Sequence, residues 1–342
     1  MEYMGAGMLS ANELLLADSL SIFDPASPNA SSILKLAILT FAVTGLIFLI
    51  VEGVLLYSIW RFREVPSDKP RGEPPQVYGS MPIEVAWTAA PTMIVFFLVL
   101  VTTRTLWEVE PNLPTPKAAD NALFVTVIGH QWWWEYVYET FDGRKLGFIT
   151  ANELHIPASD DQVSHPTYLN LKSADVCHSY WVPRLGGKVD LIPGNTNLLS
   201  LETKETGLFL GQCAEYCGAQ HANMLIRVVV HPRDEFERWL ESESQPGKED
   251  SAVSEGKAAF LAESCVNCHA VRGTSARGTY APDLTHLMAR ETLAAGMIKN
   301  TPENLSQWLR DPQSVKPGCL MPAFGLDDRQ LDSIVEYLQT LQ

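Results

Sequence analysis

Side chains that bind soft metal ions are concentrated between Cys213 and Met224, where the chain reads Cys-Ala-Glu-Tyr-Cys-Gly-Ala-Gln-His-Ala-Asn-Met. A further histidine, His178, lies upstream in the stretch Asp-Val-Cys-His-Ser-Tyr-Trp. Thiolate, thioether and imidazole are ligands that suit copper. The two cysteines are close enough on one loop for both sulfurs to bridge two metals, with the histidines and the methionine at the ends. The set therefore indicates a site for two copper ions.

Two other uses of these cysteines stay open at this point. Cys213 and Cys217 are candidates for a disulfide bond in an exported domain. Together with the histidines they are also candidates for a tetrahedral zinc site. Neither alternative accounts for Met224 or for the second histidine, whereas copper uses thioether as well as imidazole. Copper is therefore the favoured interpretation.

The same residues match a known family in type, order and spacing. The stretch Gly-Gln-Cys-Ala-Glu-Tyr-Cys-Gly-Ala-Gln-His at 211–221, with His178 and Met224, resembles the binuclear CuA centre of subunit II of haem–copper cytochrome c oxidases. The resemblance extends over most of residues 21–240. It implies two bridging thiolates and four end ligands, which are His178, His221, Met224 and the backbone carbonyl of Glu215, with Cys213 and Cys217 as the bridges. It also implies that the Glu215 carboxylate reaches a magnesium ion shared with subunit I.

A second motif, Cys265-Val-Asn-Cys268-His269, is typical of covalent haem c attachment, because two thiols add to the haem vinyl groups and the imidazole binds iron. A redox dithiol or half of a zinc site has a similar pattern. Residues 315–325 supply Met321 between a turn and a proline, and a Met/His ligand pair raises the haem potential. This stretch, with residues 280–286, resembles class I cytochrome c. Met321 is therefore the expected distal ligand, ahead of Met288 and Met297.

Two apolar segments are long enough to cross a bilayer. Residues 36–60 carry one charged side chain, Glu52, and residues 85–103 carry none, close to the roughly 20 residues that a transmembrane helix needs. Residues 1–32 contain no basic residue, whereas the segment between the helices contains Arg61, Arg63, Lys69 and Arg71. The positive-inside rule therefore predicts a cytoplasmic connecting loop with both termini outside.

The periodicity of apolar residues after the two membrane-spanning segments predicts two further domains. Short β-branched and aromatic runs, bounded by turn residues, indicate a cupredoxin-like β-sandwich or barrel; they are Leu123–Ile128, Thr167–Leu171, Asn197–Leu201 and Leu225–Val230. Helical spacing indicates an all-α class I cytochrome c domain, with Thr301 before Pro302 as a cap signal; the predicted helices are 252–262, 289–299, 302–310 and 328–341.

The predicted organisation therefore has five parts. These are an N-terminal tail outside the membrane over 1–32, a transmembrane hairpin over 33–108 with helices at about 34–60 and 83–106, a CuA domain over 109–240, a linker over 241–252 and a cytochrome c domain over 253–342. The formal charge is −15, which makes nucleic acid an unsuitable partner. Cys177 and Cys319 have no assigned role; each is interpreted as inert.

Two residues outside the ligand sets, Trp132 and Glu84, are candidates for a functional role. In the run Trp132-Trp133-Trp134, the subunit II resemblance implies that electrons from cytochrome c enter through Trp132, whereas ordinary packing explains the other two. Glu84 lies at the start of the second helix. Its simplest role is that of a charge favoured by the helix dipole. The resemblance offers an alternative, the entrance of the K proton channel, and the sequence does not decide between them.

These features predict the electron-input subunit of a proton-pumping cytochrome c oxidase. Haem c would pass electrons to CuA and on to haem a in subunit I, where oxygen is reduced to water. The resemblance implies subunits I and III, an upstream donor (cytochrome c or a quinol-oxidising complex) and the lipid bilayer as partners. The expected location is the bacterial cytoplasmic membrane, multi-pass, with both redox domains on the outer side. The alternatives are the CuA subunit of a nitric oxide reductase and a membrane-anchored electron carrier that acts alone.

Overall fold

The computed structural model describes residues 20–63, 76, 78–111, 121–247 and 251–342. The chain forms two compact units, one from Ser31 to Glu110 and one that comprises the residues up to Ala30 and those from Pro111 onward. Three predicted segments fall partly outside the described residues. They are the N-terminal tail, the basic loop with Lys69 and Arg71, and the linker at 248–250.

The first unit is a pair of long apolar helices, α1 (Pro28–Arg61) and α2 (Met81–Val109). A proline at or beside the first helical position starts each helix, where its missing N–H leaves no intrahelical bond unmade. Large apolar side chains point outward along both helices; Phe48 is 62% exposed and Phe96 is 65% exposed. Both helices are long and apolar enough to cross a membrane, and lipid is the solvent that such a surface requires.

The β-sandwich of the second unit consists of two five-stranded sheets. Its strands are β1 (Leu123–His130), β2 (Trp133–Phe141), β3 (Arg144–Ala151), β4 (Glu153–Pro157), β5 (Thr167–Ser173), β6 (His178–Trp181), β7 (Val189–Leu191), β8 (Asn197–Leu201), β9 (Gly207–Cys213) and β10 (Leu225–His231). The sheet orders are β3-β2-β1-β5-β8 and β4-β10-β9-β6-β7. The four strands predicted from sequence are confirmed as β1, β5, β8 and β10.

Alternation along the strands builds the core between the sheets. In β2, Trp134, Tyr136 and Tyr138 are fully buried, whereas the residues between them are half-buried. Successive side chains of a strand point to opposite faces, so one face of each sheet closes on the other. Helix α3 (Arg233–Ser244) covers one end of this core with Phe236 and Leu240. The predicted linker, 241–252, therefore begins with the last turn of a packed helix.

A half-buried histidine pair lies beside α3. The Nδ1 of His155 is 2.8 Å from the Nε2 of His231, and the indole of Trp239 stacks on the His155 ring with centroids 4.4 Å apart. Burial lowers the pKa of His155 to about 3 and also lowers the pKa of His231. The folded state therefore holds His155 neutral at a pH where an unfolded chain, with a histidine pKa of about 6.5, binds a proton.

Acid is therefore expected to destabilise this domain through His155. The contribution of His155 to the free energy of unfolding is complete above pH ~6.5 and is lost as the pH falls towards about 3. Over this range the free energy of unfolding falls by up to about 1.4 kcal/mol per pH unit for one proton. His155→Gln should flatten this slope, whatever its effect on stability at neutral pH. Thermal unfolding of both proteins across this pH window measures the difference, and parallel curves would contradict the prediction.

The C-terminal domain is helical. Its helices are α4 (Ser254–Ala262), α5 (Pro302–Arg310), α6 (Pro312–Val315) and α7 (Asp328–Gln339). The hydroxyl of Thr301 accepts a hydrogen bond from the Asn304 N–H and caps α5, as predicted. Helices α4 and α7 cross closely, because a Cβ at Gly256 would lie 1.9 Å from the Ser333 carbonyl oxygen. Only glycine permits that approach.

The prediction of a helix over 289–299 is wrong. Strands β11 (Thr292–Leu293) and β12 (Ile298–Lys299) form a small hairpin there, and its turn holds Ala294, Ala295 and Gly296 at positive φ. The backbone N–H groups of Glu291 and Thr292 donate to the carboxylate of Glu153 in the β-sandwich. Those bonds to a distant segment replace the internal bonds that a helix would have made.

Candidate copper centre and haem pocket

The predicted copper ligands lie on two strand ends and one closed loop. His178 is the first residue of β6, and Cys213 is the last residue of β9. After β9 the chain turns through a short 3-10 helix at His221–Asn223 and enters β10. The N–H of Cys213 donates to the carbonyl of Met224 at 3.0 Å. This bond brings the two ends of the loop together beside His178.

The donor atoms of this cluster lie within contact distance of one another. The Sγ atoms of Cys213 and Cys217 are 3.8 Å apart. The Sγ of Cys213 is 3.9 Å from the Nδ1 of His178, and the Sγ of Cys217 is 3.6 Å from the Nδ1 of His221. The sulfur atoms of Cys217 and Met224 are 3.9 Å apart. Each thiol therefore faces one histidine, and the methionine lies on the Cys217 side.

This arrangement fits a pair of soft metal ions. The cysteines are free thiols, and their separation of 3.8 Å is far longer than a disulfide bond of about 2.05 Å. Metal–thiolate bonds are about 2.3 Å long, so both sulfurs can reach an ion between them. The Glu215 carbonyl oxygen is 3.3 Å from the Cys213 sulfur and adds a further donor. The cluster is therefore compatible with CuA.

Sequence reasoning missed a carboxylate that orients His178. Asp175 lies 2.8 Å from the Nε2 of His178, which leaves Nδ1 facing Cys213. Such outer partners fix the tautomer of a ligand histidine. Burial by itself would lower the pKa of His178, but the Asp175 carboxylate and the Cys213 sulfur raise it above the ordinary value. The only signal in the sequence was an acid three residues before the histidine.

The indole of Trp132 forms a hydrogen bond with the copper loop, the segment 213–224 that carries most of the proposed copper ligands. Its Nε1 donates to the carbonyl of Cys217 at 2.9 Å, and the Nε2 of Gln131 donates to the same oxygen at 2.7 Å. Gly218 follows with φ of +117°, and a Cβ there would lie 3.0 Å from the indole ring. Glycine at this position therefore permits the close approach of the ring to the loop. Nothing in the sequence indicated the part that Gln131 plays.

The residues of the haem motif line one apolar cavity. Cys265, Cys268 and His269 contribute to its wall, and Met321 contributes from the loop before α7. The Nδ1 of His269 is 2.7 Å from the carbonyl of Pro282, so this nitrogen donates and Nε2 is free to bind a metal. Burial lowers the pKa of His269, which favours the neutral, ligating form. The cavity and its donors fit a covalently attached haem c.

The two other candidate methionines lie elsewhere. Met288 packs against the core of the helical domain, and neither it nor Met297 is among the residues that line the cavity. Trp132 and Gln131 of the β-sandwich do line it. The haem cavity therefore opens directly onto the residue that is bonded to the copper loop.

Glu84 belongs to the membrane unit, and its carboxylate accepts a hydrogen bond from the N–H of Ser80 at 3.1 Å. This contact satisfies a backbone N–H that has no partner within the helix at the start of α2. It gives Glu84 a structural role that does not involve proton transfer. The Glu215 side chain is exposed at the surface of the copper loop. Its predicted contact with magnesium stays a prediction.

Three family models match successive parts of the chain. The transmembrane domain of cytochrome c oxidase subunit II matches residues 17–104, the periplasmic domain of the same subunit matches 123–231, and cytochrome c matches 253–342. The solved periplasmic domain of cytochrome oxidase subunit II from Bradyrhizobium japonicum is 30% identical, with a TM-score of 0.33, and the match covers 39% of this chain and 96% of that chain.

Curated relatives extend over nearly the whole chain. Cytochrome c oxidase subunit 2 of Alkalihalophilus pseudofirmus is 35% identical, with 95% of this chain and 92% of that protein covered. The corresponding subunit of Bacillus subtilis is 32% identical, with 94% and 92% covered.

Matches in this order define a class of protein, a membrane-anchored subunit that joins a cupredoxin-like domain to a cytochrome c. Relatives that extend from the helices to the C-terminus narrow the class to one family. The chain belongs to the cytochrome c oxidase subunit II family and is a membrane-anchored oxidase subunit with a C-terminal cytochrome c domain.

Proposed function

We propose that this chain receives electrons at haem c, passes them to a dicopper CuA centre and delivers them to haem a of subunit I. There they would reduce oxygen to water with proton pumping. The proposed haem ligands are Cys265, Cys268, His269 and Met321. The proposed CuA ligands are His178, Cys213, Glu215, Cys217, His221 and Met224. The two metal groups supply reversible one-electron chemistry when bound.

One observation carries the proposal: Trp132 touches both sites. Its indole donates to the carbonyl of Cys217 and also forms part of the haem cavity wall. A single side chain therefore connects the two ligand sets through one hydrogen bond and direct packing. Four of the proposed copper ligands, His178, Cys213, Cys217 and Met224, are buried and are held by the packing around them. Rigid ligands need little rearrangement when their charge changes, which favours fast transfer.

The remaining assignments are part of the same proposal. The domain division from sequence is retained, with the transmembrane hairpin over 33–108, the CuA domain over 109–240 and the cytochrome domain over 253–342. Both redox domains would lie on the outer side of a bacterial cytoplasmic membrane, because Arg61 ends α1 on the loop side. Subunits I and III and an upstream donor would be the partners. Glu215 would share magnesium with subunit I. For Glu84, the entrance of a proton channel stays the alternative to its role in the hydrogen bond with Ser80.

Replacing Trp132 tests this route. Trp132→Gln should slow electron transfer from haem c to CuA by on the order of tenfold, equivalent to about 1.4 kcal/mol of barrier. The ligands are unchanged, so both absorption spectra should persist. The measurement is rapid-mixing reduction of the purified oxidase, in which the two centres are followed separately.

Trp133→Gln is the matched control. Trp133 belongs to the same aromatic run and also lines the cavity, but its ring stacks on His130 with centroids 4.2 Å apart. The control should transfer electrons at a rate close to that of the parent. A parental rate in Trp132→Gln, or equal losses in the two variants, would contradict the proposed route.

A further inference from the structure

A lysine is buried where the cytochrome domain meets the copper domain. Lys316 follows α6 in the loop that leads to Met321, and its side chain is 3% exposed. Lysine is almost never fully buried unless its charge is compensated. The surroundings of this ammonium therefore require an explanation. Lys316 lines the haem cavity but is not one of the proposed copper or haem ligands.

Each of the three N–H donors of Lys316 has a backbone acceptor. The Nζ atom is 2.9 Å from the carbonyl oxygen of Trp132, 2.8 Å from that of Asn223 and 2.9 Å from that of Ala294. An ammonium has three donors and no acceptor, so the group is saturated. Two acceptors belong to the copper domain and the third belongs to the β11–β12 hairpin of the cytochrome domain.

The positions of these acceptors connect the lysine to both redox sites. Trp132 donates to the copper loop and lines the haem cavity. Asn223 directly precedes Met224, a proposed copper ligand. Pro317, the residue that follows Lys316, accepts a hydrogen bond from the Nε2 of Gln220 in the copper loop at 2.5 Å. The Met321 loop is thus tied to the copper loop beside the proposed electron path.

A second buried charge ties the same two domains together at another point. Glu153 is 2% exposed. Its carboxylate accepts hydrogen bonds from the N–H of Glu291 at 3.0 Å, and from the N–H and hydroxyl of Thr292 at 3.0 and 2.7 Å. A third contact joins the two domains, since the N–H of Leu225 donates to the carbonyl of Ala295 at 3.3 Å. The interface is therefore ordered over an extended area.

We propose that Lys316 is a positioning residue, an interdomain clamp that holds the haem cavity of the cytochrome domain against Trp132. The inference rests on the proposed function, because the clamp matters for electron transfer only if electrons cross at Trp132. Carbonyls from three separate segments converge on one ammonium, so they define a single docked orientation. Separation of the domains would leave buried acceptors without their donor.

The charge state agrees with this role. Burial lowers the pKa of Lys316 to about 8, which leaves the group an ammonium at neutral pH. All three hydrogen bonds are then charge-assisted and stronger than neutral ones.

Lys316→Met removes the ammonium while it keeps a long apolar side chain. Loss of one partner from a buried, hydrogen-bonded charge shifts docking by a factor of about thirty or more. Hydrogen exchange in the full oxidase should accelerate by about that factor at the N–H groups of Leu225 and Thr292. These amides lie at other contacts of the interface, so a purely local defect at Lys316 would leave them protected. Electron transfer from haem c to CuA should also slow, because the Trp132 carbonyl loses the ammonium that fixes the backbone of the proposed entry residue in the docked state.

Two controls accompany the variant. Lys299→Met removes an exposed lysine from the same domain and should change neither exchange nor transfer. Amides of α7 in the domain core should stay protected in Lys316→Met, which shows that the cytochrome domain is folded. Midpoint potentials of both centres, measured in each variant, separate a changed driving force from changed docking. If Lys316→Met does not accumulate, Lys316→Gln takes its place, with two donors instead of three and no charge.

The outcomes distinguish the clamp from the proposed route. Parental exchange at Leu225 and Thr292 in the variant would overturn the clamp, whatever the electron-transfer rate. Accelerated exchange with an unchanged transfer rate would contradict the positioning role. If CuA in the parent oxidase were reduced before haem c, the proposed route would fail, and the exchange data would still test the clamp by themselves.

Discussion

Cys217→Ser is expected to abolish the dicopper spectrum of this oxidase. The Cys217 sulfur lies 3.8 Å from that of Cys213, 3.6 Å from the His221 imidazole and 3.9 Å from the Met224 thioether. Like the Cys213 sulfur, it therefore contacts three other donor atoms of the cluster. A serine hydroxyl is a hard donor that stays protonated and suits copper poorly. Electron paramagnetic resonance of the purified complex measures the loss.

The haem c spectrum is expected to survive this change. Serine keeps the backbone carbonyl to which Trp132 and Gln131 donate, so the wall of the haem cavity is retained. Cys319→Ser is the matched control, since it removes a half-buried thiol that contacts Gln313 and the Met321 carbonyl rather than the donors of the copper cluster. An unchanged dicopper resonance in Cys217→Ser would refute the assignment.

Met224→Leu should shift the midpoint potential of the copper centre without emptying the site, because a weak axial ligand mainly tunes that potential.

Met321→Ala should leave haem attached while it lowers the haem potential. The covalent bonds depend on Cys265 and Cys268, which the change does not touch. Loss of the thioether removes the ligand that raises the potential. A fall on the order of 0.1–0.3 V is expected, within the roughly 0.8 V that axial ligation spans. Spectroelectrochemical titration measures it, and electron transfer to copper should change with the altered driving force.

Met288→Ala and Met297→Ala are the controls for Met321. Neither residue is among those that line the haem cavity, so both variants should keep the parental spectrum and potential. Normal ligand-field bands in Met321→Ala, with altered bands in either control, would assign the distal ligand to the other methionine. The protein would then have to rearrange the loop before α7 in order to bind haem.

Local patterns in the sequence predicted many, but not all, of the elements of this protein. Apolar runs predicted both long helices, and alternation predicted strands such as β1 and β10, because each element has its own period. The copper loop and the Cys265–His269 motif were also local, since their donors lie within twelve and five consecutive residues. Ligand type and spacing together indicated the chemistry before any fold was known.

Contacts between distant segments could not be predicted in this way. The hairpin at Thr292–Lys299 was predicted to be a helix, since its spacing is helical and its hydrogen bonds to Glu153 come from a remote strand. Asp175 and Gln131 act on the copper site only because β1, β6 and the copper loop meet in space. No period in the sequence records which strands become neighbours.

The relation between the two redox domains is the feature that only the tertiary structure decided. From sequence alone, Lys316 is one lysine in a loop and Glu153 one acid at the start of a strand. Folding buries both charges at one interface and gives each its acceptors or donors from the other domain. The sequence by itself determined what each site can bind, because ligand chemistry resides in the side chains. The distance between the sites depends on which surfaces pack together, and that is set by contacts among residues far apart in the chain.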